Sequence, residues 1–228
     1  MTPLEIDTIL NACEVQIGLG ITPEINGTGF WPAVRAVKRE PELIDQFADR
    51  IGAIDRAAFN SWARLVIPIS LGTVIAVVGV LIGLSIISAA ALIPEWNGIV
   101  FLVGTGVLIG TTHGLGHLIV GFIGGIRFSA WFIGRGRPQP GVKTDYGTYL
   151  RATPKARAWM HASGAIVTKA IPFLLLPTAL AVSAIPTWVS LVLIGLGIVQ
   201  IVTDVVWSTK SSDWAKYARE RAYAANSS

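Results

Sequence analysis

Four long apolar runs constrain this 228-residue chain more than any other feature of its sequence. They extend over about residues 62–93, 97–126, 159–185 and 187–207. Each run reaches the ~20 residues that a helix needs to cross the hydrocarbon core of a bilayer. The chain is 52% hydrophobic and only 14% charged, which is too apolar for an ordinary soluble domain. We therefore predict an all-α integral membrane protein with about four transmembrane helices.

Positive charge is distributed unevenly around these runs and predicts their orientation. The turns near 94–97 and 186 contain no Lys or Arg, whereas the central loop and the C-terminal tail are rich in both. Those residues are Arg127, Arg135, Arg137, Lys143, Arg151, Lys155, Arg157, Lys210, Lys216, Arg219 and Arg221. The positive-inside rule then places both termini and the central loop in the cytoplasm of a multi-pass protein of the cell membrane. The net charge of +4 is explained by contact of these basic residues with anionic lipid headgroups. The sequence contains no base-reading motif, so we expect no nucleic-acid partner.

The same pattern divides the chain into three parts. Residues 1–61 are a cytoplasmic helical segment, residues 62–208 a transmembrane core and residues 209–228 a cytoplasmic tail. Within the first part, apolar residues recur at three- and four-residue steps between residues 43 and 59, which predicts an amphipathic helix. This helix either packs as a structural element or covers the cytoplasmic entrance. A shorter helix is predicted near residues 4–16.

The interval between the second and third runs predicts a break in helical structure. Gly134, Gly136, Pro138 and Pro140 disfavour a helix there. Just before them, Ser-Ala-Trp-Phe-Ile at residues 129–133 has the composition of a short strand, which we expect at the membrane surface.

Two histidines inside the second run are the strongest indication of a functional site. His113 and His117 are four residues apart and therefore lie on one face of a helix. Histidine is costly in a bilayer, so two on one face indicate a metal site. His117 precedes Arg127 by ten residues, which is about 15 Å along a regular helix. A metal held there would be buried but reachable from the cytoplasm.

A third ligand would have to come from another helix. Asp204 is the carboxylate inside the last two apolar runs and is a candidate for this position. Lys169, in the third run, offers Asp204 a different partner, because an ion pair would neutralise both charges without a metal. His161, close to the predicted cytoplasmic end of the third run, is either an interfacial histidine or a fourth ligand or proton carrier.

These residues resemble the site-2 protease family of intramembrane zinc metalloproteases. The likeness begins at about Thr111 and covers much of the chain from there onward. The helix of His113 and His117, the glycines up to Gly125 and the strand at residues 128–134 are similar to the family's His-Glu-x-x-His helix and the bend and strand that follow it.

Two further segments are similar to motifs of this family. Residues 164–168 resemble Gly-Pro-x-x-Asn, which implies a substrate-binding role for Thr168, and Asp204 resembles the aspartate of Leu-Asp-Gly. The resemblance implies zinc as the cofactor and transmembrane helices of other proteins as partners within the lipid bilayer. The implied zinc ligands are His113, His117 and Asp204.

The departures from the family pattern affect catalysis most. Gly114 replaces the glutamate that acts as general base, so we assign no catalytic residue. Thr168 replaces the asparagine, Ala165 the proline, and Thr203 and Val205 flank the aspartate where the family has leucine and glycine. Losing a general base usually lowers the rate about 10²- to 10⁴-fold. We therefore expect a site-2-protease-like protein without ordinary peptidase activity that retains a zinc site.

Two alternatives use the same residues differently. An active metalloprotease would need a substitute base, for which Glu95 and Asp145 are poor candidates, or would work without one. A metal-free or haem-binding membrane subunit is the other. In a haem protein, His161 would have to join His113 or His117, because two histidines on one helical face cannot be opposite axial ligands.

Overall fold

The computed structural model describes residues 1–23, 25–134, 137–206, 209 and 212–225, and within them the chain is mostly helical with one small sheet. The elements in chain order are α1 (Pro3–Gly18), α2 (Phe30–Val37), α3 (Pro41–Trp62), β1 (Ala63–Pro68), α4 (Ile69–Ala90), α5 (Asn97–Ile123), β2 (Phe128–Gly134), β3 (Arg137–Thr144), α6 (Tyr146–Arg151), α7 (Pro154–Ala181), α8 (Thr187–Val206) and α9 (Asp213–Ala225).

These elements form two compact units. The first combines residues 1–69 with residues 121–157 and the C-terminal end from Arg219, and the second combines residues 70–120 with residues 158–218. The predicted division into three consecutive parts differs from this arrangement. The reason is that the central loop and the end of the tail belong to the same unit as the N-terminal segment.

Helix α3 of the first unit has the amphipathic pattern that the sequence predicts. Its buried side chains follow one stripe that includes Leu43, Phe47 and Ile51. Pro41 occupies the first turn, where its missing N–H is not needed, and Glu42 lies near the positive end of the helix dipole. Together with α1, α2 and one leucine of α6, this stripe forms a continuous apolar core, so α3 is a packing element of this unit.

The first unit also contains an antiparallel sheet in the order β1-β2-β3. The strand predicted at residues 129–133 is confirmed as the central strand β2. Strand β1 was not predicted, because its sequence continues without a break into the first apolar run. Strand β3 was not predicted either, since it contains prolines. Pro68 and Pro140 both lie in edge strands, where a residue without an N–H donor is tolerated.

A buried group of charges completes the first unit. Glu220 of α9 accepts hydrogen bonds from Lys38 and Arg157, each at 2.6 Å, and from the Tyr149 hydroxyl at 2.9 Å. Burial disfavours ionisation of Glu220, but the two cations outweigh this effect and hold the pKa of its carboxyl below the usual value. The carboxylate therefore carries its charge in the interior.

The second unit contains four helices that are long and apolar enough to cross a membrane, namely α4, α5, α7 and α8. They share an apolar core that includes Phe101, Leu108, Val189 and Leu193. Only 22–33% of the residues in their most apolar stretches are buried in the protein. Most of their apolar surface therefore faces outward, as expected of helices that contact lipid. Helix α4 begins seven residues after the predicted start at residue 62, because β1 occupies the intervening residues.

Candidate metal centre

His113 and His117 lie on one face of α5, as their spacing predicts. Their Nε2 atoms are 3.2 Å apart, and the two rings are nearly perpendicular. Their environments differ, since the His117 side chain is 11% exposed and the His113 side chain 40% exposed. His117 is thus the inner member of the pair and His113 the outer one.

The orientation of His117 is fixed by the backbone of α7. Its Nδ1 lies 2.7 Å from the carbonyl oxygen of Met160. A carbonyl oxygen only accepts hydrogen bonds, so Nδ1 carries the proton in this contact. With the proton on Nδ1, a neutral imidazole would carry its lone pair on Nε2, the atom that faces His113. A histidine that binds metal through one nitrogen commonly donates its other N–H to such an acceptor.

Close packing of α5 on α7 makes this hydrogen bond possible. A Cβ atom at Gly164 would lie only 2.5 Å from Nε2 of His117, and one at Gly116 would lie 3.1 Å from the carbonyl oxygen of Ser163. Glycine at these positions therefore lets the two backbones approach until the imidazole lies directly against α7.

Asp213, at the start of α9, joins the two histidines. Its Oδ2 is 3.4 Å from Nε2 of His113 and 3.3 Å from Nε2 of His117. Its other oxygen, Oδ1, faces the Lys216 ammonium at 3.5 Å. The local sequence explains the start of the helix, because the Ser212 hydroxyl accepts a hydrogen bond from the backbone N–H of Ala215.

The three donor atoms form a nearly equilateral triangle with edges of 3.2, 3.3 and 3.4 Å. Tetrahedral zinc lies about 2.0–2.1 Å from nitrogen and oxygen ligands, which separates those ligands from one another by about 3.3–3.4 Å. The triangle therefore has the dimensions of one face of a zinc tetrahedron. Among the residues that the structure describes, His113, His117 and Asp213 form the cluster of His, Cys, Asp or Glu side chains that could hold a metal ion.

The charge state of Asp213 suits a ligand role. Burial disfavours its ionised form, but hydrogen bonds from His113 and His117 outweigh that effect and hold the pKa of this carboxyl well below its usual range. If both Nε2 atoms carried protons, each N–H could donate to Asp213, but the two nitrogens would then bring their protons together across only 3.2 Å. A single metal ion bound by both Nε2 atoms and by Oδ2 would account for all three short distances.

Asp204, the third ligand predicted from the sequence, lies elsewhere in the structure. Its Oδ2 forms an ion pair with Lys169 of α7 and accepts a hydrogen bond from the indole of Trp214 at 2.8 Å. The structure thus brings together His113 and His117 as predicted. It places Asp213 beside them and joins Asp204 to Lys169, the partner that the sequence left open as an alternative.

The remaining predicted residues have other contacts. The Thr168 hydroxyl is buried and donates within α7 to the carbonyl oxygens of Gly164 and Ala165. His161 lies on α7 and is not part of the donor triangle. Of the two poor substitutes for a general base, Asp145 caps the start of α6 and pairs with Arg56 at 2.7 Å.

Glu95, the other poor substitute, lies just before the helix that carries the histidines and is far from them along the chain. It precedes α5, and His113 lies sixteen residues after the first residue of that helix, Asn97. This separation corresponds to about 24 Å along the helix axis. Gly114, where the site-2 protease motif has a glutamate, is buried beside His113.

Sequence reasoning missed Asp213 because it lies outside the apolar runs, in a polar tail where a carboxylate is unremarkable. A helix-start signal was nevertheless present, since Ser212 precedes Asp213 and a run of helix-forming residues follows. Reading that signal would have placed an acidic residue at the first turn of a ninth helix.

Compared with family models, with curated proteins and with solved structures, the chain matches none of them significantly. Function is therefore inferred from the residues of the site and their geometry.

Proposed function

We propose that this chain is a multi-pass membrane protein, similar to the site-2 proteases, that binds one zinc ion through His113, His117 and Asp213 and lacks ordinary peptidase activity. The observation that carries the proposal is the donor triangle, whose edges of 3.2–3.4 Å match a zinc tetrahedron. Two imidazoles and one carboxylate are also a donor set that suits zinc.

The membrane environment is the second part of the proposal. Four long apolar helices with mostly outward-facing side chains support insertion in a bilayer. The distribution of Lys and Arg favours an orientation with both termini in the cytoplasm. In this orientation α9, which supplies Asp213, follows the last membrane helix on the cytoplasmic side. Metal would then reach the site from the cytoplasm.

The chemistry of the site favours binding over hydrolysis. When bound, zinc would supply a Lewis acid with one coordination position open to a further ligand. His117 is held by Met160 to present Nε2, His113 supplies the outer nitrogen, and Asp213 supplies one charged oxygen. Gly114 offers no side chain to move a proton, and the Asp145 carboxylate is occupied by a helix cap and an ion pair. We therefore propose that the protein binds transmembrane helices of other proteins without cleaving them, the partners that its resemblance to the site-2 proteases implies.

Metal analysis of the full-length protein tests the zinc site. Protein purified in detergent without chelators is dialysed against buffered zinc, and bound metal is measured by elemental analysis. We expect about one zinc per chain in the wild type and a large loss in His113→Ala, His117→Ala and Asp213→Ala. Asp45→Asn is the matched control, because Asp45 is an exposed carboxylate on α3 and should leave zinc binding unchanged.

Two outcomes would overturn the zinc site. A wild-type protein that neither contains zinc nor acquires it would show that the triangle is not a zinc site. Equal zinc content in the wild type and all three site variants would show that metal is bound somewhere else.

A further inference from the structure

Asp204 and Trp214 connect the end of α8 to the start of α9 by a single well-defined contact. The indole Nε1 of Trp214 donates a hydrogen bond to Oδ2 of Asp204, with the two atoms 2.8 Å apart. Trp214 is the residue immediately after Asp213. Fixing the indole therefore restricts where the Asp213 carboxylate can lie.

The acceptor of this hydrogen bond is itself held in place. Asp204 forms its ion pair with Lys169, whose side chain is only 15% exposed and whose ammonium also lies 3.3 Å from the carbonyl oxygen of Ala165. A partly buried carboxylate paired in this way keeps both its charge and its position. The indole is thus anchored on two membrane helices, α7 and α8.

Trp214 also makes an aromatic contact within α9. Trp214 packs edge-to-face on Tyr217, with ring centroids 5.8 Å apart, and Tyr217 packs on Trp159 of α7 at 5.7 Å. Trp214 and Tyr217 lie on the first turns of α9, and their packing, through Tyr217, on Trp159 of α7 opposes rotation of α9 about its axis. Rotation would otherwise swing Asp213 away from the histidines.

From these contacts we infer that Asp204 and Trp214 are positioning residues that hold Asp213 in the donor triangle. The inference rests on the proposed zinc site and assigns Asp204 a different role from that of a ligand. Asp204, which the sequence predicts as a ligand, thus affects metal binding indirectly: it fixes the indole of Trp214, which in turn fixes Asp213.

Cobalt binding tests this inference in the full-length protein, with Co²⁺ itself as the probe. Co²⁺ occupies zinc-type sites, and its visible spectrum reports the number and geometry of its ligands. Trp214→Phe keeps an aromatic ring but removes the N–H donor. We expect it to weaken Co²⁺ binding about 10- to 100-fold, the usual effect of losing a residue that orients a metal ligand. Its spectrum should resemble that of Asp213→Asn.

The decisive comparison is a double-mutant cycle. If Trp214 acts through Asp213, Trp214→Phe should cause no further loss of affinity in the Asp213→Asn background. Trp96→Phe is the matched control, because Trp96 is 58% exposed in the turn before α5 and should leave Co²⁺ binding unchanged. Asp204→Asn, which keeps an oxygen acceptor for the indole, should lose less affinity than Trp214→Phe.

The possible results separate the two levels of the proposal. A wild type that binds neither zinc nor cobalt would overturn the proposed function and this inference with it. A wild type that binds metal, together with a Trp214→Phe variant of unchanged affinity, would leave the metal site intact and overturn the inference alone. Equal losses with and without Asp213 would likewise overturn it, because Trp214 would then act on general stability.

Discussion

His117 donates a hydrogen bond from Nδ1 to the backbone carbonyl oxygen of Met160, across 2.7 Å. This contact leaves Nε2 of His117 facing His113 and Asp213, and it ties a proposed metal ligand on α5 to the backbone of α7. A backbone acceptor cannot be removed by substitution. The glycines that allow the two helices to approach are therefore the positions where the contact can be tested.

Gly164→Ala should weaken metal binding at least tenfold. The added methyl group would lie 2.5 Å from Nε2 of His117 and 2.9 Å from the carbonyl oxygen of His113, so the imidazole or the helix must move. The zinc dissociation constant, measured by competition with a chelating indicator, checks this prediction. Gly110→Ala on α5 is the control, since a Cβ atom there meets nothing within 4 Å. Equal affinities in both variants would contradict the role assigned to Gly164.

Introducing a glutamate at position 114, where the site-2 proteases carry their general base, should create hydrolysis that we expect the wild type to lack. The wild type, reconstituted in vesicles with a transmembrane substrate, is expected to cleave it no faster than His117→Ala does. Gly114→Glu, provided that it binds zinc, should raise the rate by up to about 10²- to 10⁴-fold, the usual contribution of a general base. Gly110→Glu, four residues earlier on the same helix, is the matched control. Cleavage by the wild type above the His117→Ala background would mean that it is an active protease.

Glu220→Ala should strongly destabilise the protein. The substitution leaves Lys38 and Arg157 buried without their shared counter-ion, and removing one partner of a buried ion pair typically costs about 3–5 kcal/mol. Thermal unfolding in detergent checks this, with Glu42→Ala as the control because Glu42 is exposed in the first turn of α3. A Glu220→Ala variant as stable as Glu42→Ala would show that this charge cluster does not support the fold.

The contribution of Glu220 should also depend on pH in a defined direction. Its pKa is lower in the folded protein than in an unfolded chain, so the unfolded state binds the proton more readily. The stabilisation is therefore fully present above the unfolded pKa of about 4.3 and is lost as the pH falls through the lower folded value. The difference in Tm between wild type and Glu220→Gln should shrink below about pH 4.3. A constant difference from pH 7 to pH 3 would contradict this assignment.

Much of the fold could be predicted because hydrophobic periodicity and the lengths of the apolar runs are local properties of the sequence. The four apolar runs predict the helices α4, α5, α7 and α8, and the stripe that includes Leu43 and Phe47 predicts α3. Strand β1 was hidden, since its apolar residues Leu65, Val66 and Ile67 continue without a break into the apolar helix that follows. Its pairing with β2, more than sixty residues away, is a tertiary choice that no local pattern specifies.

The site was predicted in part for the same reason. His113 and His117 are four residues apart on one helix, so their proximity follows from helix geometry alone. The third member depends on how α9 is placed, which the sequence pattern does not encode. Asp204 was predicted as a ligand because a carboxylate is rare in an apolar run. Its presence there is equally well explained by its ion pair with Lys169.

The unequal exposure of the two histidines gives the proposed site a direction. His117 is enclosed and bound to Met160, whereas two-fifths of the His113 side chain is accessible. An arriving ion would meet His113 first, and a competing chelator would displace His113 first on the way out. The outer histidine would then set the rate at which metal exchanges, while the inner histidine would set how tightly it is finally held.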